Sequence, residues 1–411
     1  MRKPWRVSQI DRYFPVFGPA RWSDTMQLGY QRTTEKRGTN MSFHNRLGLA
    51  ATFLTVLAGC ATVTDPPDTV LRNAAKPSWS VKAIPAEMIV DVSPAGDTLR
   101  IAGTAGMVIG GGAEAVVNAK YRGPIRDALE GYDAAGVFAQ RLRDRLESAM
   151  GSSIEKVSPL GSTAGMDSKR DAEDFRLARL SKNGFDSVLD LNTSFGIFGA
   201  EGMMAVKLDG ELIRLTDTKT IWNETIAVSA SPVLADARLQ DPTKRMGYNV
   251  TNPDLTVNAD AVRAWTADGG TQLKERFEWA VDAAVSALLC DLGLTSEPVG
   301  EYFLGTLAMN RKKLDDAEAH FAAALALDPD YVDARSARAV NHWHRKEEQR
   351  AVNETKAILN DAPEYGPAYY NLAYWFAVEA KDGAAAKEVY DRALALGMPK
   401  SKAIEKAIAK N

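Results

Sequence analysis

Near its C-terminal end the chain repeats itself. Ala351 and Pro363 stand 34 residues after Ala317 and Pro329, and Ala386, Tyr390 and Ala393 echo Ala317, Phe321 and Ala324 with one residue inserted. No other feature restricts the fold as much. A unit of this length cannot bury its own apolar face and must stack on neighbours. Small alanines let paired helices approach, and a proline ends each unit. Residues 296–411 are therefore predicted to be an all-helical stack of three units, with the charged segment Ser401–Lys410 as its cap. The break at Ser296-Glu297-Pro298 marks its start, and a fragment 296–411 is expected to fold alone as a helical unit.

The run from Leu314 to Ala324, with Ala317 and Phe321 inside it, Pro329 after it and Gly305 twelve residues before Ala317, resembles the tetratricopeptide repeat. The second unit departs from that pattern, with Arg335, Arg338 and Thr355 at packing positions. The resemblance implies a solenoid whose first helices line a concave face. Its inward positions map to Tyr302, Thr306 and Met309, then Ser336, Val340 and Trp343, then Tyr370, Tyr374 and Ala377. Tyr302, Met309, Trp343, Tyr370 and Tyr374 then form an aromatic and apolar groove for a protein partner. The alternative is that some of these aromatics are core between units. On the groove reading, truncating Trp343 or Tyr374 costs binding and spares the fold, whereas truncating Phe321 costs stability.

Residues 85–295 alternate between strand and helix signals. Glu87–Ser93, Leu99–Ala102, Ile154–Leu160 and Asp186–Asn192 read as strands. Met203–Leu215 and Thr220–Ala230 alternate in polarity and are joined at Asp217-Thr218-Lys219, the pattern of a hairpin. Asp133–Met150, Asp171–Asn183 and Gly270–Gly293 carry apolar residues at helical spacing. Strands mixed with crossover-length helices predict an α/β domain, a mixed sheet with flanking helices. Residues 125–150, 184–192 and 215–226 are similar to the envelope lipoproteins related to the curli secretion channel and to the activators of penicillin-binding proteins. That family shares no catalytic set, so the resemblance assigns no residue a role.

Residues 41–60 read as a targeting signal. Arg46 supplies a short basic start, and Leu47 to Val56 form an uncharged apolar run, too short for the ~20 residues that span a bilayer. Leu57-Ala58-Gly59-Cys60 follows and resembles the lipobox of bacterial lipoproteins. The resemblance implies cleavage before Cys60 and lipid on its thiol and new amine, a lasting membrane anchor. The 40 residues before Met41 are read as translated from an upstream start codon assigned in error. Ala61 follows the cysteine where an Asp would signal inner-membrane retention in enteric bacteria, so the outer membrane, facing the periplasm, is expected. The organisation is thus 1–59 upstream segment and signal peptide, 60–84 lipidated tether holding Pro66, Pro67 and Pro77, 85–295 α/β domain and 296–411 helical repeats.

Charge narrows the partners. Residues 1–59 carry nine Lys/Arg and three Asp/Glu, which leaves 41 basic and 50 acidic residues in the remainder. An acidic mature chain argues against nucleic acid. Gly103 to Gly112 lacks the Lys-Ser/Thr of a phosphate loop and reads as close packing, a flexible loop or a self-association surface, so a homo-oligomer is possible. His342 and His344 lie two apart and point to different sides of a helix, with no third zinc ligand in view. Cys290 beside Leu288 and Leu289 reads as an inert thiol on an apolar helix face. No catalytic residue, metal or cofactor is assigned. The expected function is a non-catalytic envelope scaffold or assembly factor. The rival is an envelope hydrolase using paired carboxylates in the α/β domain, which requires a cleft holding two acids.

Overall fold

A computed structural model of the protein describes residues 65–83, 88–90, 123–159, 169–198, 202–236 and 259–410. The lipobox with Cys60, the strand expected at Leu99–Ala102 and the glycine-rich run 103–112 lie outside the described residues.

Helix α1 (Pro67–Asn73) opens with proline in its first turn and leads into β1 (Pro77–Ala83). Strand β2 (Ile89–Val90) follows, then α2 (Gly123–Ala128), α3 (Ala134–Met150), β3 (Glu155–Lys156) and α4 (Lys169–Lys182). The long strands β4 (Ser187–Phe198), β5 (Met203–Arg214) and β6 (Lys219–Ser229) complete the sheet. Its order is β3-β1-β4-β5-β6, with β2 also beside β4. β1 runs parallel to both β3 and β4, whereas β4, β5 and β6 are antiparallel neighbours. The mixed sheet with flanking helices matches the expected α/β class. The turn between β5 and β6 falls where the sequence placed it, with Thr218 at φ 53°.

The period-2 geometry of β4 explains the layers. Leu189, Leu191, Phe195 and Ile197 pack on one side with Phe138, Leu142 and Leu146 of α3 and with Phe277 and Val281 of α6 (Thr271–Asp291). Val188 points the other way and joins Leu177 and Leu180 of α4. On that second face Arg176 forks onto Asp190 at 2.5 and 2.7 Å, and Ser80 Oγ donates to Asp190 at 2.6 Å.

Three departures from the sequence reading concern the first half. The stretch 60–84, read as a tether, contributes α1 and a strand inside the sheet. Its prolines suit those places: Pro67 sits at the start of a helix and Pro77 at the first residue of a strand, where no amide donor is required. Among the described residues, the strand read at Glu87–Ser93 pairs over Ile89–Val90, and the one read at Ile154–Leu160 pairs over Glu155–Lys156.

After α5 (Ala259–Thr266) and α6 the chain is wholly helical. It runs through α7 (Pro298–Asn310), α8 (Leu314–Leu327), α9 (Val332–His344), α10 (Glu348–Asp361), α11 (Gly366–Tyr374), α12 (Gly383–Ala395) and α13 (Lys402–Lys410). The end of α11 widens into a π-helical turn, Trp375–Glu379. The recurring small residues do what their spacing suggests. Ala317, Ala324, Ala351, Ala386 and Ala393 are fully buried, and a Cβ on Gly305 would come within 2.6 Å of the Phe321 ring.

The break at residue 296 does not interrupt the core. One apolar cluster runs from Leu71 through the sheet and α6 to Phe321, Trp343 and Trp375, and the described residues fall within one compact unit. Polar ties reinforce it. Arg145 Nη2 of α3 donates to both Glu297 carboxylate oxygens at 2.6 and 2.7 Å, Arg72 of α1 donates to the Leu294 carbonyl at 2.9 Å, and Arg311, just past α7, reaches Glu224 and the Thr225 carbonyl of β6.

Candidate functional site

Beyond β6 the chain does not turn away. Residues 229–236 run as an irregular segment over the first helices of the C-terminal pairs. Ser229, Ala230, Ser231 and Pro232 line a cavity together with Tyr302 and Phe303 of α7, Tyr331 and Asp333 at the start of α9, and Tyr365 and Pro367 at the start of α11. Further along, the Asn371 side-chain amide donates to the Val233 carbonyl at 3.3 Å, and its oxygen accepts the Ala235 amide at 2.8 Å. Tyr370 Oη and Ser401 Oγ donate to Asp236 Oδ2 at 2.7 and 3.1 Å. Leu234 is buried in a cluster with Tyr370, Tyr390, Met398 and Ile404.

The expectation of an open groove is corrected by this arrangement. Tyr302 and Tyr370 are at most 5 % exposed and meet the chain's own crossing segment. Met309 is buried in the continuous core. Trp343 stacks on Trp375, with ring centroids 4.8 Å apart and planes 18° apart, so it belongs to the packing between pairs, the alternative the sequence left open. Only Tyr374 is half-buried, wedged between the two main apolar clusters. Among the other mapped positions Thr306, Ser336, Val340 and Ala377 are buried as well.

Electrostatics at the crossing follow from burial. The Asp236 carboxyl is pushed above the usual carboxylate range by desolvation, against the pull of its bonds from Tyr370 and Ser401. Its Oδ1 is buried without a hydrogen-bond partner. Burial also raises the Tyr370 hydroxyl well beyond its ordinary range, and the neighbouring Asp236 adds to it. Asp333 lies deeper. Tyr365 Oη donates to its Oδ1 at 2.7 Å, and desolvation raises the carboxyl.

The cavity is partly open to solvent, and Trp279 of α6 completes its wall. It presents five aromatic rings, two serines and one carboxylate, Asp333. That inventory suits binding. Acid/base work by paired carboxylates needs a second acid, and Asp333 is the single one lining this cavity. Among the described residues no cluster of His, Cys, Asp and Glu is arranged to hold a metal, and no helix is long and apolar enough to cross a membrane. Cys290 is half-buried with its thiol raised by burial, and its sulfur lies against Thr295 and the Glu297 carbonyl.

Sequence reasoning missed Asn371, Asp236, Asp333, Tyr365 and Trp279. The only signal for Asn371 was a polar residue in an aromatic run, Tyr369-Tyr370-Asn371-Leu372. Its partners lie 138 and 136 residues away. The chain matches no family model, no curated protein and no solved structure.

Proposed function

We propose that the protein is a non-catalytic envelope lipoprotein, anchored by lipid on Cys60 at the outer membrane and facing the periplasm. Its C-terminal pairs act as a tetratricopeptide-type solenoid that binds an extended protein segment. Its α/β domain, similar to the curli-secretion and penicillin-binding-protein-activator lipoproteins, carries a second component or a further copy of the chain. One observation supports this most. The C-terminal helices already hold an irregular stretch of chain, residues 229–236, through bonds from the Asn371 side chain to its main chain and side-chain bonds from Tyr370 and Ser401. Main-chain bonding with pockets for side chains is how helical and sheet scaffolds recognise extended peptides. An envelope hydrolase using paired carboxylates gains no such support.

The experiment combines anchoring and capture. The mature chain should begin at Cys60, carry acyl mass and partition into detergent, and Cys60→Ser should leave the precursor uncleaved. A photo-crosslinking side chain installed at position 374 should give a discrete protein adduct in intact cells, lost when Cys60→Ser mislocalises the chain. An unacylated mature protein retaining residues 1–59, together with no adduct from position 374, would refute the proposal.

A further inference from the structure

The aromatic cavity between the crossing segment and the helix pairs holds one acidic side chain, Asp333, whose charged form burial disfavours and a neighbouring cation would restore. Among the described residues no cation pairs with Asp333, whose bonded partner is the Tyr365 hydroxyl. Asp333 lies in the first turn of α9, where the helix dipole favours a negative charge. The rings around it stand as walls, not as a stack. Tyr302 and Phe303 meet at 68° with centroids 4.9 Å apart, Trp279 and Phe303 at 68° and 6.0 Å, and Tyr302 and Tyr331 at 55° and 5.4 Å. Aromatic rings lining a cavity with a single acid are the composition of a receptor for a positive charge.

We propose that this cavity is a binding site for an alkylammonium group, either a small primary amine or a lysine side chain. Tyr365 already occupies Asp333 Oδ1. One oxygen remains for an incoming cation. A guanidinium fork pairs best with two carboxylate oxygens, whereas an ammonium is a compact point charge that needs one. The alkyl stem would lie against Pro232, Pro367 and the rings at the mouth. This site is independent of the lipid anchor and of the partner proposed for the repeats.

The test uses the full chain and n-butylammonium chloride as probe, read by calorimetry. Saturable one-to-one binding is expected, at least tenfold tighter than that of n-butanol, which has the same stem without the charge. Asp333→Asn should weaken butylammonium at least tenfold while leaving butanol unchanged. Tyr331→Leu, at the cavity wall, should weaken it several-fold and carries the test if Asp333→Asn alters the thermal melt. N-acetyl-lysine methylamide binding tighter than butylammonium supports a lysine-bearing segment as the source; the reverse ranking supports a free amine. Equal affinity for butanol and butylammonium, no saturable binding, or full affinity in both variants would overturn the proposal.

Discussion

Asn371→Ala removes one side chain and orphans two main-chain groups. Asn371 is 1 % exposed, and its side-chain amide makes one buried bond to the Val233 carbonyl and accepts one from the Ala235 amide. A buried main-chain donor or acceptor left unpaired costs about 1–3 kcal/mol. The 3.3 Å bond to Val233 belongs at the weak end and the 2.8 Å bond from Ala235 nearer the strong end. Together they put the loss at roughly 2–4 kcal/mol. Urea unfolding measures the total. Hydrogen exchange locates it, because the Ala235 amide should lose protection by about 30-fold or more, the equivalent of ~2 kcal/mol. Asn223→Ala is the control: its amide bonds Glu211 at an exposed site, and such changes stay within about 0.5 kcal/mol. If Asn371→Ala costs no more than Asn223→Ala and leaves exchange at 230–236 unchanged, the segment is not held by Asn371, and the argument for recognition of extended chain fails with it.

Three further outcomes follow from the packing. Phe321→Ala should cost about 3–5 kcal/mol through its cavity, and Trp343→Ala should cost a similar amount because its ring is stacked on Trp375, contrary to the sequence expectation that Trp343 is a binding residue; a Trp343→Ala melt matching wild type would return that residue to the groove. Gly305→Ala should destabilise by about 1–3 kcal/mol, since its methyl meets the Phe321 ring, and pairing it with Phe321→Leu should recover part of the loss; thermal melts of the two single variants and the pair decide this. Because the folded Asp236 carboxyl titrates above its unfolded value, the folded chain keeps that proton longer, and stability should fall as pH rises from the ordinary carboxylate range through the raised folded value. Asp236→Asn should flatten that slope above the ordinary carboxylate range; parallel slopes for wild type and variant would show that the carboxyl does not titrate as its burial implies.

The parts of the fold legible in the sequence are those whose signal is local. The β5–β6 hairpin alternates in polarity and turns at Asp217–Lys219, so both strands could be placed within a residue or two. Phe321, Ala317 and Ala351 carry helix pairing in a fixed spacing, and all three are buried. β1 was hidden because it is covered on both faces while carrying serines. Ser78 and Ser80 are tolerated inside only because they donate to the Ser187 carbonyl and to Asp190, about 110 residues on. The groove was hidden for a related reason. Whether Tyr302 or Tyr370 faces open space depends on what the chain after Ser229 does, and nothing in the spacing of the helical units records that it comes back across them.

That return path also limits how such a chain can change over generations. In an open stack each unit touches only its neighbours, so tandem duplication or loss of a unit leaves the others in place and the array drifts in length. Here residues 229–236 reach from the cavity at α7 to Asn371 and Tyr370 on α11. The distance between those two points is matched to a stretch of backbone of fixed length. Deleting one 34-residue unit would carry Asn371 away from Val233, and inserting one would leave the stretch too short to reach it. The number of units is locked to a ruler written elsewhere in the chain, and because Leu234 and Asp236 also meet Tyr390, Met398 and Ser401, the constraint runs from α7 to the start of α13.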